Sequence, residues 1–269
     1  MKNQNSSKVV NDNEILHGLK NAQFQPFFQP KVQCSTKKIV GSEALIRWVH
    51  PDLGILLPYT FLARLRANKL MPEVSNIVIN ESLKMLQSHQ SENFSVPISI
   101  NIDPDSLLLP SFATTLKKKC ETMGVDPSLI FFEISETYDI SDDNLQNSIL
   151  SLDKEGFKIS IDDFGTKYST IKRLIELPTH EVKFDRFFLR EAQKSQKGYY
   201  LFTELLKIIE EINCIVVIEG VETEAQVNCI SEYKFCQLQG FYFSAGVPRK
   251  QFDELLKVQP FSLKVDLDE

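Results

Sequence analysis

The chain has 269 residues and carries 36 acidic against 30 basic side chains, a net charge of −6. With no long basic run to neutralise phosphates, that balance excludes sequence-independent coating of DNA or RNA. At 42% hydrophobic and 25% charged residues, with 10 Gly and 12 Pro, the composition is that of a globular protein rather than a disordered or fibrous one.

Residues 1–13 carry no helical or strand period and are expected to be flexible, as is the tail 258–269. The polar start, MKNQNSSKVVNDN, lacks the apolar core of a signal peptide. No apolar run reaches the roughly 18–20 residues that cross a bilayer, so no membrane association and a cytoplasmic location are expected. Between the two ends, 14–257 has neither an internal repeat nor a Pro/Gly/Ser linker and is expected to form one domain.

Within that span, short apolar or β-branched runs predict strands at 25–32, 38–45, 96–102, 129–135, 157–162, 181–184, 214–219 and 236–239. Stretches of helical period, such as 109–123, 143–155 and 201–212, separate the later runs. A repeating strand-then-helix order with eight strands predicts an α/β fold closed as a TIM-type barrel. The beginning departs from that rule. Only CSTKK, at 34–38, separates the first two runs, whereas a parallel crossover needs about a dozen residues. The first strand is therefore expected to pair antiparallel with the second.

The five cysteines are widely spread, without a CxxC pair, and read as reduced, mostly buried thiols rather than disulfides or zinc ligands. His17, His50, His89 and His180 fall outside the strand ends and read as structural or solvated.

Acidic residues are disfavoured in strands, yet Glu43, Glu133, Asp162, Asp163 and Glu219 lie in or at the C-terminal ends of predicted strands. Asn101, Lys183 and Gln239 take the corresponding places on three others. In a barrel these ends converge on the face where active sites are built. Each acid alone has a bland explanation as a helix cap or an ion-pair partner. The adjacent Asp162 and Asp163 are stronger, because two carboxylates ending one strand repel unless a cation holds them. Carboxylates gathered in one pocket raise one another's pKa or recruit cations, and oxygen donors without a His or Cys cluster favour Mg²⁺ or Mn²⁺ over zinc. Two such ions can polarise a phosphoester and activate water, while Lys183 offsets charge and a spare carboxylate takes a proton. The residues by themselves point to metal-assisted attack on an anionic substrate.

Six motifs occur in one order: Glu43-Ala44-Leu45 in EALIRWVHP, EISE from Glu133 to Glu136, DDFGTKYS from Asp162, KFD from Lys183, EGVET from Glu219, and Gln239-Gly240 followed by FYFS. Together they resemble the EAL-domain family of cyclic di-GMP phosphodiesterases over about 14–257. The resemblance implies a (β/α)8 barrel with an antiparallel first strand and hydrolysis of cyclic di-GMP to linear pGpG in bacterial signalling. It also implies two Mg²⁺ or Mn²⁺ ions, inhibition by Ca²⁺ and a homodimer. By motif, Glu43, Asn101, Glu133 and Asp162 resemble ligands of one ion, with Asp162 bridging to a second that Asp163 also holds. Glu219 is similar to the family's general base and Lys183 to the lysine near the attacking water. Asp185, Glu222 and Gln239 resemble polar residues that support this shell. Gln29, Leu45, Arg47 and Gln239 match substrate contacts, and Glu136 matches a glutamate that steadies the loop after the fifth strand.

Lys167 stands where the family pattern has Gly; if that position needs positive φ, the lysine costs roughly 1 kcal/mol. Other departures are Arg66 for Glu, Cys236 for Asp, and Ala245-Gly246 for a basic residue and Pro. The altered loop motivates an alternative: a non-catalytic EAL module that binds the dinucleotide or a protein partner as a switch. The intact ligand set favours catalysis.

Overall fold

All eight predicted runs become strands of one sheet in a computed structural model, which describes residues 10–91, 96–135, 142–165 and 170–261. The strands are β1 (Phe24–Gln33), β2 (Ile39–His50), β3 (Gly54–Leu56), β4 (Ile98–Asn101), β5 (Ile130–Ser135), β6 (Lys158–Phe164), β7 (Thr179–Phe184), β8 (Ile215–Ile218) and β9 (Gln237–Leu238). Strand order is β1-β9-β8-β7-β6-β5-β4-β2-β3, and β1 also pairs with β2, closing an eight-stranded barrel with β3 outside it.

Pairing from β2 through β4 to β9 is parallel, as the intervening helices require. β1 runs antiparallel to both neighbours, with Phe27 opposite Leu45 and Val32 opposite Leu238. The short CSTKK connection thus has the expected consequence. β3 was not expected. β2 continues to His50, whose Nδ1 accepts from the backbone N–H groups of Asp52 (3.1 Å) and Leu53 (3.2 Å), and this turn folds Gly54–Leu56 back onto β2.

Helices cover the outer face, and local sequence sets their ends. Phe112–Met123 stops at Gly124 in the left-handed region (φ 68°), while Asp142 caps Asp143–Lys154 and Ser195 caps Gln196–Glu211. Apolar residues that alternate with the inward-facing ones and turn towards the helices, such as Ile98, Ile100, Phe132, Ile134 and Ile159, pack one side of the core. Val182, Phe184, Phe202, Leu206 and Ile218 pack the other. Each such side chain contributes about 1.5–3 kcal/mol on full burial.

The first helix, Asp12–Lys20, begins with a capping box between Asn11 and Glu14 and lays Ile15 and Gly18 on Phe24 and Trp48. At the other end, the Phe261 N–H donates to Lys37 O at 3.0 Å. The five cysteines are free, four of them buried.

Candidate active site

A barrel strand alternates inward and outward side chains, so Glu43, Asn101, Glu133, Asp162 and Lys183 enter the interior from five different strands. Glu219 and Gln239 follow at the ends of β8 and β9. The strand ends bring all seven together. Lys183 Nζ lies 3.2 Å from Glu43 Oε2, 3.0 Å from Glu133 Oε1, 3.1 Å from Asp162 Oδ1 and 2.8 Å from Glu219 Oε1. Glu43 accepts hydrogen bonds from Asn101 Nδ2 (2.8 Å) and Gln239 Nε2 (2.6 Å). Gln239 Nε2 also reaches Gln29 Oε1 at 3.2 Å, and Gln29 Nε2 donates to Ser244 O at 3.0 Å.

One ammonium has three N–H donors for these four carboxylates. Accordingly both Glu133 carboxylate oxygens and Asp162 Oδ1 are buried without a hydrogen bond, although Lys183 sits at ion-pair distance from two of them. The electrostatics follow the same division. Burial would raise the Glu43 carboxyl, but Lys183, the Gln239 hydrogen bond, Lys31 and Asn101 outweigh it and hold it at about 2. For Glu133, burial and the nearby Glu43 charge prevail over Lys183, and its carboxyl is raised well above the ordinary range. Burial likewise pushes Glu219 to about 8, beyond what its share of Lys183 can offset. The Glu219 side chain keeps 20% exposure, so water reaches it. Burial alone would lower Lys183, but the four surrounding carboxylates hold it well above its usual value.

Asp163 joins the cluster through its backbone. Oxygens of Asp162, Asp163 and Glu219 lie within 4.8 Å of one another. Buried carboxylate oxygens without partners are costly, and an all-oxygen donor set fits a hard divalent cation such as Mg²⁺ or Mn²⁺. Among the described residues, Asp162, Asp163 and Glu219 are the carboxylates close enough together to share one.

Two cavities flank the cluster and share Glu43. One, of about 220 Å³, is walled by Gln29, Glu219, Glu222 and Gln239. The other, of about 430 Å³, is walled by Leu45, Asn101, Asp162 and Asp163, with an apolar side from Leu62 and Met71. Arg47 is half-buried beside this face; its Nη1 donates to Ile46 O at 2.9 Å, and it makes no ion pair among the described residues. Asp185 caps the helix Arg186–Lys194 by accepting from Phe187 N–H at 2.8 Å. Glu136 and Lys167 lie outside the described residues.

Other predicted departures also have places. Arg66 Nε pairs with Asp103 Oδ2 at 3.2 Å on the wall of the larger cavity. Cys236 is buried in the core, and Gly246 packs against Leu45 and Arg47. His50, His89 and His180 bond elsewhere, His89 to Asp253 at 2.7 Å.

Sequence reasoning missed a second buried polar layer. Lys31 Nζ lies 2.6 Å from Glu181 Oε1 and 2.6 Å from Ser99 Oγ, and Ser160 Oγ donates to Glu181 at 2.8 Å. The available signal was the spacing: Lys31 and Glu181 stand two residues from Gln29 and Lys183, on the same inward faces.

A family model described as "EAL domain" matches residues 12–245. "Signaling protein YkoW" of Bacillus subtilis is 27% identical over 259 residues, covering 96% of this chain and 32% of that protein. "Cyclic di-GMP phosphodiesterase RocR" of Pseudomonas aeruginosa is 27% identical over 241 residues, covering 89% of this chain and 61% of that one. The chain thus spans from one third to three fifths of the length of these relatives. Among solved structures, the "PaMucR Phosphodiesterase, c-di-GMP complex" superposes with a TM-score of 0.81 at 27% identity, over 89% of this chain and 98% of that one. An EAL domain protein from Listeria monocytogenes does so with a TM-score of 0.79 at 26% identity, over 91% and 97%.

Proposed function

As this chain belongs to the EAL domain family, we propose that it is a metal-dependent phosphodiesterase that hydrolyses cyclic di-GMP to linear pGpG. The observation that carries the reading is Lys183 Nζ held 2.8–3.2 Å from four carboxylates that arrive from four strands, with Glu219 among them.

Glu43, Asn101, Glu133, Asp162 and Asp163 would hold two Mg²⁺ or Mn²⁺ ions, which when bound polarise a phosphodiester and lower the pKa of water. Charge supports two ions. The inner face gathers the carboxylates of Glu43, Glu133, Asp162, Asp163, Glu181 and Glu219 against the ammonium groups of Lys31 and Lys183. With all six ionised, as when cations displace the protons held by Glu133 and Glu219, that leaves a deficit of four positive charges, the charge of two divalent ions. Glu219, whose side chain keeps 20% exposure at the edge of the cluster, is placed to accept a proton from water. It takes the proton of the water that attacks phosphorus, one ring P–O bond breaks, and the leaving sugar oxygen gains a proton. Lys183 opposes the negative charge that builds on the phosphate. Gln239 and Asn101 fix the Glu43 carboxylate, Glu222 walls the smaller cavity, and Asp185 caps the helix that follows Lys183's strand. Leu45, Arg47 and Gln29 line the approach to the cavities, where the fork of Arg47 suits a phosphate.

A cytoplasmic location is part of this proposal, and no helix among the described residues is long and apolar enough to cross a membrane. A homodimer goes with the same reading, and the exposed Ile171 and Ile175, on the helix that follows the Asp162–Asp163 loop, give a second copy an apolar face to cover. Sedimentation velocity tests it.

Incubating the purified chain with cyclic di-GMP and Mg²⁺, Mn²⁺ or Ca²⁺ tests the activity. We expect pGpG with the first two. Ca²⁺ is expected to bind without turnover, because its looser coordination aligns an attacking water poorly. Retained dinucleotide binding without pGpG would overturn the reading in favour of a non-catalytic module. Glu43→Ala separates the two further: hydrolysis should vanish, whereas a partner-binding role survives.

A further inference from the structure

Beneath the carboxylate cluster the barrel holds a charged pair where apolar residues ordinarily fill the layer. Lys31 and Glu181 are each only 2% exposed, and their charged atoms are 2.6 Å apart. Small residues make the space. Gly41 lies opposite Lys31 in the β1–β2 ladder, with the lysine stem 3.6 Å from where its Cβ would be, and Ser99 and Ser160 bond the pair from β4 and β6. Such a pair is a poor stabiliser, since well-packed apolar residues of similar volume serve as well or better. What it does supply is a second cation for Glu133: Lys31 Nζ approaches Glu133 Oε1 to 3.8 Å from below, while Lys183 approaches the same oxygen to 3.0 Å from above. Neither Glu133 oxygen is hydrogen-bonded among the described residues, and both of these ion pairs fall on Oε1.

We propose that Lys31, anchored by Glu181, is a positioning residue for the metal site: it pins Glu133 by Oε1 and so leaves Oε2 for an ion. The inference rests on the phosphodiesterase reading in taking Glu133 as a ligand. Lys31 touches neither substrate nor reacting atoms; it acts through Glu133.

Calorimetric titration of the full chain with Mn²⁺ tests this, comparing wild type, Lys31→Met, and Lys31→Met combined with Glu181→Gln. The double change removes one charge of each sign, so the net charge is preserved while the support of Glu133 is lost. We expect Mn²⁺ affinity to fall about 10-fold in both variants, the scale on which outer-shell partners of metal ligands act. The melting temperature of the metal-free double variant should stay at or above wild type. Simple electrostatics predicts the opposite for Lys31→Met, because deleting a cation 3.8 Å from Glu133 should tighten cation binding. Unchanged or tighter Mn²⁺ binding in the double variant overturns the inference alone. Failure of the wild type to take up Mn²⁺ overturns the phosphodiesterase reading and this inference with it.

Discussion

Asp163 shares one carboxylate cluster with Asp162, its neighbour in sequence, because its backbone turns into the left-handed region at φ 57°. In a regular strand two successive side chains point to opposite faces. Here the β6–β7 register slips between Ile161 and Phe164, and the turn at Asp163 brings its carboxylate back towards its predecessor's. Gly165 continues the bend at φ 84°, where an added Cβ would fall 2.3 Å from Phe188 Cζ. The strand thus sacrifices regularity to deliver two acids to one place.

Asp163→Asn should separate charge from conformation. Asn tolerates the left-handed region nearly as well as Asp, so the melting temperature should stay within about 2–4 °C, corresponding to roughly 1 kcal/mol. Hydrolysis should fall at least about 100-fold, the upper end of what even an outer-shell partner costs. Asp163→Val, β-branched at positive φ, should lose both stability and activity. Equal melting losses in the two variants would contradict this account.

The metal-free protein should lose stability as pH rises from about 5 to about 8. Glu219 titrates near 4.5 when unfolded and at about 8 when folded, so across that window the folded chain keeps a proton that the unfolded chain has released. The stabilisation is complete below 4.5 and lost as pH rises through 8. Glu133, also raised, adds to the trend. Glu43, held at about 2, contributes stability above 4.5 that disappears only as pH falls towards 2, outside this window. Thermal melts in EDTA should therefore decline from pH 5 to 8, and saturating Mn²⁺ should flatten or reverse the decline by binding the deprotonated carboxylates. A metal-free melting temperature that climbs with pH would rule this out.

Much of this arrangement was legible because strand-end acids contradict strand propensity: Glu43, Glu133 and Asp162 stand out against Val, Ile and Phe neighbours. The antiparallel β1 was legible too, since five residues cannot make a parallel crossover. β3 was not, because three residues give no period and the turn depends on the His50 ring. Lys31 and Glu181 escaped for another reason. At the edges of their runs they look like solvated charges, and only closure of the barrel, across 150 positions of sequence, brings them to 2.6 Å.

Gly240→Ala should disturb the site from behind. An added Cβ would meet Val221 O at 2.1 Å and Val221 N at 2.3 Å, backbone atoms that cannot swing aside. Overpacking of this kind costs about 1–3 kcal/mol. The displacement falls on Gln239 and on the loop after Glu219, which are joined by the Val221 N–H to Gln239 O bond at 3.1 Å. Lower thermal stability with a reduced rate of pGpG formation is the expected pair of outcomes; wild-type behaviour in both would show that the loops can part without consequence.

Lys183→Met is the most severe change foreseen. Glu43, Asp162 and Glu219 each face this ammonium at ion-pair distance, and the lysine side chain is only 1% exposed. Its removal leaves buried carboxylates without their internal countercharge, and breaking a buried pair in this way costs about 3–5 kcal/mol. Protonation of Glu133 and Glu219 absorbs part of that cost, so the loss should be smaller at pH 5 than at pH 8. Mn²⁺ should recover stability by supplying the missing positive charge, whereas hydrolysis should not recover, because no group then opposes the phosphate charge where Lys183 stood. Melting curves with EDTA and with Mn²⁺ at both pH values, together with a pGpG assay on the same samples, separate the two effects. Recovery of activity along with stability would mean that Lys183 serves only as a counterion.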